Sequence, residues 1–395
     1  MSLARTAAVC FTVTGQSKAL NSLAAGFGMR VAVCQALGDL FRDERRGFQA
    51  IEQLGRRVGK MKAIVVREFG PFANAKVETI DDPLPGDDEI VVDVQAAETN
   101  YPDLLVMEGR YQVRPKLPFV PGKGAAGLVA RLGRNVTDLA VGQRVALQVE
   151  HGAYAEKVAV PRAWCYPMPD EVDFEIAAAS ILTYQTAWFA LTDRAAIKPG
   201  ESVLVLGAGG GVGVAAIQLA RALGAGTIIG GTRGTAKVEI VRQVGADHVV
   251  DLEMTNLRDG LRSEIHGLTG GRGVDIVIDP VGGSVFEPAL RALGWRGRLV
   301  VVGFTGGEIP VAKANYLLVK NIAVTGVQSS DYRNWWPEAS AQAQAAIFNY
   351  IRRGTIRPEI GGVFPFERFS EALSALRDGN AKGKLLLVPC GNATA

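Results

Sequence analysis

The sequence predicts an α/β protein in which a doubly wound parallel sheet of six strands is joined to a β-rich domain. Three observations predict it. Short aliphatic runs alternate with helical segments between residues 201 and 326. A glycine turn stands between the first of these runs and an apolar helix. Between 61 and 185, short strands recur with turn signals. The expected organisation is an extension over 1–60, a β-rich domain formed by 61–185 and 335–395, and a parallel-sheet domain over 186–334.

Length and composition fit two soluble domains: 395 residues, 48% hydrophobic and 21% charged. The net charge of +3 is uneven. Residues 1–60 hold nine Lys/Arg and four Asp/Glu, a net of +5, so the rest of the chain sums to −2. The body therefore lacks the basic footprint of a nucleic-acid binder. Cys10, Cys34, Cys165 and Cys390 form no CxxC or cluster, which argues against a disulfide framework and for a reducing cytoplasm. No apolar run reaches the ~18–20 residues that a membrane span requires.

Met61 to Val66 reads as the first strand. Ahead of it, residues 1–38 carry Arg5, Lys18 and Arg30 but no acid, a composition like that of a transit peptide. Residues 39–60 read as a short amphipathic helix with Leu40, Phe41, Phe48, Ile51 and Leu54 on its apolar side. The extension is either a start upstream of the true one or a targeting segment. The expected location is cytoplasmic, and mitochondrial if 1–38 directs transit.

The turn carries the chemistry. Glu201-Ser202-Val203-Leu204-Val205-Leu206 is a buried-strand pattern and runs straight into Gly207-Ala208-Gly209-Gly210-Gly211-Val212-Gly213. An apolar helix with Val214, Ile217, Leu219, Ala220 and Leu223 follows. Strand, glycine turn and helix is the context of a Rossmann dinucleotide site. Glycines let the backbone approach a pyrophosphate, and the helix N-terminus offers free N–H groups and a positive dipole end. The spacing is G-x-x-G-x-x-G at Gly207, Gly210 and Gly213, not the plain G-x-G-x-x-G.

The next run, Thr227 to Gly231, ends at Thr232-Arg233, with no acid between Gly226 and Lys237. An NAD site places a carboxylate there for the ribose 2′-hydroxyl. Arg233 and Lys237 instead suit a 2′-phosphate, so NADPH is the expected cofactor. The alternative is that both are solvated surface cations. Further strands follow at 245–251, Val274–Asp279, Arg298–Gly303 and 322–326, and the loops 279–283, 303–306 and 326–329 should line the cofactor cleft. These loops bring Val281, Gly303, Phe304 and Val327 to the cofactor, and Lys384, opening a last strand Lys384–Val388, is placed with them. That strand is expected to return to the β-rich domain.

The chain resembles the zinc-free quinone oxidoreductase and enoyl reductase branch of the medium-chain dehydrogenase/reductase superfamily. The resemblance spans nearly all of 61–390. It rests on Asn100-Tyr101-Pro102-Asp103, Leu117-Pro118-Phe119-Val120-Pro121-Gly122, Thr183-Tyr184-Gln185-Thr186-Ala187, Gly210-Gly211-Val212-Gly213 and Asp279-Pro280-Val281-Gly282-Gly283. It implies a GroES-like β-rich domain packed on a Rossmann domain, NADPH-dependent reduction of quinones or activated double bonds, and a homodimer. It places Thr186 near the nicotinamide, Gly210 to Gly213 at the pyrophosphate, and Thr232, Arg233 and Lys237 around the 2′-phosphate. Asn100, Tyr101 and Tyr111 would face the substrate.

No zinc site is expected. Zinc-dependent relatives use a Cys near Asn100 and Gly-His-Glu near Gly122, where this chain reads Gly122-Lys123-Gly124. Its three histidines are His151, His248 and His266. Lys123 departs from the Glu usual after that Pro-Gly. It either meets an anionic substrate or a developing enolate, or pairs with a nearby acid. Tyr101 or Tyr111 either donates to the substrate oxyanion or simply packs. Trp335-Trp336 is either a wall of the substrate pocket or interface or core packing. The mechanism expected is direct hydride transfer to a carbon conjugated to a carbonyl. An NADPH-binding sensor with little turnover is the competing function, and single-stranded nucleic-acid binding is disfavoured by the body's charge.

Overall fold

The computed structural model describes residues 59–389, and the chain from Lys60 on forms one unit. The expectations for the extension and for Cys10, Cys34 and Cys390 lie outside the described residues. β1 (Lys60–Val65), alternately exposed and buried at its start and buried from Ala63 on, pairs antiparallel with β2 (Lys76–Asp81). The larger, mostly antiparallel sheet begins with β3 (Glu89–Glu98), whose residues are mostly buried. A short helix, α1 (Tyr101–Met107), leads to β4 (Gly124–Leu132), β5 (Arg144–Gln148), β6 (Lys157–Pro161) and β7 (Cys165–Pro167). Ile64, Val92, Val129 and Leu147 lie in its apolar core.

Two helices, α2 (Phe174–Ala179) and α3 (Leu182–Phe189), carry the chain to the parallel sheet. That sheet contains β8 (Val203–Leu206), α4 (Gly211–Ala222), β9 (Ile228–Thr232), α5 (Val238–Gln243), β10 (His248–Asp251) and α6 (Leu257–Leu268). The second half adds β11 (Val274–Asp279), α7 (Phe286–Ala292), β12 (Leu293–Val301), α8 (Ala314–Lys320) and β13 (Ala323–Gly326). The strand order is β10-β9-β8-β11-β12-β13, and all neighbours are parallel. Val203 and Val205 pack into one apolar cluster, Leu204 and Leu206 into another. A strand with no polar face is stable only when both faces are covered. Full burial of each such side chain contributes about 1.5–3 kcal/mol. The fifth strand begins five residues before the expected Arg298, directly after α7, so Gly303 falls in the following loop.

After α9 (Ser329–Trp335) and α10 (Pro337–Arg352), the chain returns through β14 (Ile360–Pro365), α11 (Phe369–Arg377) and β15 (Lys384–Val388). Ala343 and Ile347 of α10 belong to the parallel-sheet core. The return to the β-rich sheet comes with β15, which pairs antiparallel with β3, Leu386 opposite Glu98. The larger β-rich sheet runs β14-β15-β3-β4-β5-β7, with β6 also on β3. Trp335 and Trp336 are 84% and 57% exposed, so of the alternatives for this pair core packing is not what they do. No helix of the described residues is long and apolar enough to cross a membrane.

Candidate active site

The order of the parallel strands reverses between β8 and β11, and ligands of such sheets bind at that crevice. Gly207 follows β8 with φ +59°, a left-handed turn that favours glycine. A Cβ on Gly207 would lie 2.9 Å from Val281 Cγ2, so the first turn and the loop after β11 touch. Gly213 meets the turn itself: a Cβ there would lie 2.7 Å from Ala208 Cα. Gly210 precedes α4 as its N-cap, so the amides of Gly211, Val212 and Gly213 have no partner in the helix ladder. They and the dipole could hold an anion.

Asp279 closes the loop after β11. Its Oδ1 accepts from Val281 N at 2.9 Å and Gly282 N at 2.8 Å. Burial pushes its pKa up, against those two donors. Gly303 and Phe304 follow β12, and Phe304 Cδ1 lies 2.9 Å from where a Gly282 Cβ would stand. Val327 is buried after β13, with its amide on Val301 O at 3.0 Å. The three predicted loops thus gather at one end of the sheet.

Arg233 and Lys237 lie beside this turn. Arg233 is exposed, with Nη2 3.7 Å from the Cβ position of Gly306. Lys237 is half-buried, its Cδ 2.6 Å from the Cβ position of Gly209. Burial and then the charge of Lys382 lower the Lys237 pKa. Neither cation pairs with a carboxylate among the described residues. Asp251, the acid at the end of β10, is turned to the Gly234 and Glu253 amides, at 3.2 and 2.9 Å. The hydroxyl of Thr232 donates to Gly234 O at 3.1 Å, inside its own loop.

On α3, Thr186 Oγ1 donates to Leu182 O at 2.6 Å and lies 3.0 Å from Ser329 Oγ. Thr183 Cγ2 and Lys384 Cδ are 3.1 and 3.2 Å from the Cβ position of Gly211, so both press on the start of α4. The Lys384 ammonium, expected at the cofactor, is ringed by protein oxygens. It donates to Thr99 O at 3.0 Å and Asn100 Oδ1 at 2.6 Å, and lies 2.6 Å from Glu98 Oε2. What Lys384 offers the turn is its aliphatic stem.

Across from the turn, Asn100 leads into α1, and its amide N–H donates to Asp103 Oδ2 at 2.8 Å. The Tyr154 hydroxyl donates to the same oxygen at 2.8 Å. Burial raises the Asp103 pKa to about 6, against Lys123, Tyr154 and the Asn100 amide. Tyr101 and Tyr111 are half-buried against the β-rich core. Lys123 is buried with Nζ 4.6 Å from the centroid of the Tyr111 ring. Of the two expectations for Lys123, the structure contains the ion pair: Nζ lies 3.0 Å from Glu150 Oε2 and donates to Glu150 O at 3.1 Å.

Glu150 also pairs with Arg333 of α9, which is 1% exposed and has its guanidinium 4.2 Å over the Trp164 ring. Burial raises the Glu150 pKa, but Lys123 and Arg333 outweigh it and hold the carboxyl below its usual range. Burial and Lys123 together lower the pKa of His151. Sequence reasoning missed Glu98, Glu150 and Arg333, and it placed Ser329 only as the end of a cleft loop. Each acts through a partner at least 27 residues away in the chain, and no spacing signals that. Asn100-x-x-Asp103 has the spacing of a capping box, a signal that could have singled out Asp103.

Comparisons with known proteins agree with this geometry. An alcohol dehydrogenase GroES-like domain model matches residues 86–170, and a zinc-binding dehydrogenase model matches 211–345. The chain is 35% identical to the quinone oxidoreductase-like protein 2 of Mus musculus over 302 residues, 76% of this chain and 85% of that protein. A probable oxidoreductase from Mycobacterium abscessus has a similar fold, with TM-score 0.76 and 36% identity over 84% of this chain and 99% of that one. The Escherichia coli quinone oxidoreductase solved with NADPH matches with TM-score 0.76 and 28% identity, over 84% of this chain and all (100%) of that one. The chain belongs to the medium-chain dehydrogenase/reductase superfamily, in its quinone oxidoreductase branch.

Proposed function

We propose that this protein is an NADPH-dependent reductase that passes hydride to a quinone or to a double bond conjugated with a carbonyl, in the manner of an enoyl reductase. The observation that carries this reading is the glycine turn at the switch point with Arg233 and Lys237 beside it, two cations that no carboxylate neutralises among the described residues. The residues fit the cofactor. The amides of Gly211, Val212 and Gly213 would take the pyrophosphate, Thr232, Arg233 and Lys237 the 2′-phosphate, and Thr186, Val281, Gly303, Phe304 and Val327 the nicotinamide half. The similarity to the Escherichia coli enzyme solved with NADPH supports the same choice. Bound there, NADPH supplies the hydride and both electrons.

The chain's own groups orient and polarise the acceptor. Asn100 and Tyr101 stand at the start of α1, and Tyr111 lies under Lys123, which together with Arg333 outnumbers the one Glu150 carboxylate they share and so leaves positive potential near the acceptor. The reaction proposed needs no zinc. The zinc-ligand positions read Asn100 and Gly122-Lys123-Gly124, and no three His, Cys, Asp or Glu side chains gather for a metal among the described residues. A homodimer is proposed through the outer strand β13, beside which Leu318 and Val319 are exposed. The proposed location is the cytoplasm, or mitochondria where residues 1–38 direct transit. Cell fractionation of the tagged full chain separates the two.

The test is turnover. Purified full chain is mixed with NADPH and, in separate reactions, 1,4-naphthoquinone and methyl vinyl ketone, while the reduced-nicotinamide absorbance is followed. Acceptor-dependent consumption is expected. Tight NADPH binding with no consumption would replace this reading by the sensor.

A further inference from the structure

Asn100 is 4% exposed, and its two amide atoms have different surroundings. Oδ1 lies 2.6 Å from Lys384 Nζ, while Nδ2 has no hydrogen-bond partner among the described residues. An ammonium can only donate, so the atom facing it must be the amide oxygen. The amide nitrogen is then turned away from Lys384, as a buried donor without an acceptor.

Lys384 is itself held on several sides. It donates to Thr99 O at 3.0 Å and lies 2.6 Å from Glu98 Oε2. Glu98 is fully buried, and its other oxygen accepts from Leu182 N at 2.9 Å. Gly124 leaves space for that carboxylate, since a Cβ there would lie 2.5 Å from Glu98 Oε1. The Lys384 stem meets the Gly211 position at the start of α4. One buried ion pair therefore ties the cofactor turn, α3 and the Asn100 amide together.

We propose that Lys384 is a positioning residue. It fixes the Asn100 amide so that Nδ2 is a committed donor to the carbonyl oxygen of the acceptor. The inference rests on the reductase function proposed above and deepens it: the site selects acceptors that present an oxygen able only to accept. As the acceptor carbon receives hydride, negative charge develops on that oxygen, and the Nδ2–H bond strengthens with it. A proton from water completes the reduced product, and NADP+ is the oxidised one. Glu98 neutralises Lys384, so the fixed donor carries no net charge.

The experiment compares the full-length wild type with Asn100→Asp, Asn100→Ala, Lys384→Arg, and the neutral pair Glu98→Gln/Lys384→Met, which avoids a lone buried charge. Asn100→Asp keeps an oxygen toward Lys384 but offers no donor. It should lower kcat with 1,4-naphthoquinone about 100-fold, with NADPH affinity, measured by fluorescence titration, changed less than about threefold. The neutral pair should fall similarly. Lys384→Arg should recover most of kcat, and adding Asn100→Ala to the neutral pair should cost little more. A kcat for Asn100→Asp within about threefold of wild type overturns the proposal. So does loss of NADPH affinity in the neutral pair with kcat unchanged.

Binding of 1,4-naphthoquinone without cofactor, followed by tryptophan fluorescence, gives a second readout. A wild type that consumes no NADPH would defeat the reductase function. The positioning of Asn100 would then be supported by weaker quinone binding in Asn100→Asp and refuted by equal binding.

Discussion

Arg233→Asp is the most informative single change at the cofactor site. In the structure Arg233 is exposed and has no carboxylate partner among the described residues, so its loss breaks no ion pair there. A charge-assisted contact to a phosphate contributes about 1.5–3 kcal/mol when well placed, and exposure reduces this to about 1–2 kcal/mol. Removal alone should therefore weaken NADPH binding roughly 5- to 30-fold. The new carboxylate adds repulsion of similar size, which brings the loss to roughly 100-fold or more. NADH has no 2′-phosphate and should bind the variant as well as it binds wild type, or better. Fluorescence titration of both cofactors measures this, and raising the salt should narrow the NADPH difference because the contact is solvent-facing. Equal affinity of wild type for the two cofactors, or an unchanged NADPH affinity in Arg233→Asp, would refute the assignment of the 2′-phosphate to Arg233 and Lys237.

Other perturbations test the scaffold. Gly213→Ala places a Cβ 2.7 Å from Ala208 Cα, and unfolding by urea should show a loss of about 1–3 kcal/mol from overpacking, together with lost NADPH binding. Asp103 has a pKa raised from 3.8 to about 6. A raised acid is destabilising when ionised, so its cost is full above pH 6 and fades as pH falls toward 3.8. The shift corresponds to roughly 3 kcal/mol. Asp103→Asn should therefore gain on wild type between pH 4 and 7, and a stability difference flat over that range would sink the idea. Glu150→Gln leaves Lys123 and Arg333 without their shared carboxylate and should cost roughly 2–4 kcal/mol in chemical denaturation, with the larger loss above the carboxyl's ordinary pKa. Leu318→Glu with Val319→Glu should turn the proposed dimer into a monomer in sedimentation velocity; an unchanged mass would place the interface elsewhere.

The parallel half of the fold was legible because its signals are local. Val203–Leu206 and Val274–Asp279 are strands within the expected runs, as is Lys384–Val388 in the β-rich sheet, since an unbroken aliphatic run between turn residues has few other uses. The glycine turn was legible for the same reason. In the β-rich half, β2, β6, β7 and β14 were not singled out. They are short, half-polar at their edges, and defined by partners far away, such as Glu89 opposite Pro161 and Ile360 opposite Lys384. At the site, residue types pointed to Asn100, Tyr111 and Lys123, but not to what holds them. Lys384 shows the limit most clearly. It was placed with the cofactor, yet its ammonium faces Glu98, Thr99 and Asn100, a juxtaposition created only when β15 pairs with β3.

The most direct test of the central claim is the fate of the hydride. The full chain is incubated with NADPH deuterated at the transferable C4 position and with methyl vinyl ketone, and the product is examined by mass spectrometry and NMR. The account predicts one deuterium per product molecule, on the carbon β to the carbonyl, with one NADPH consumed per ketone reduced. A reduced product without deuterium, or no reduction while NADPH remains tightly bound, would contradict it.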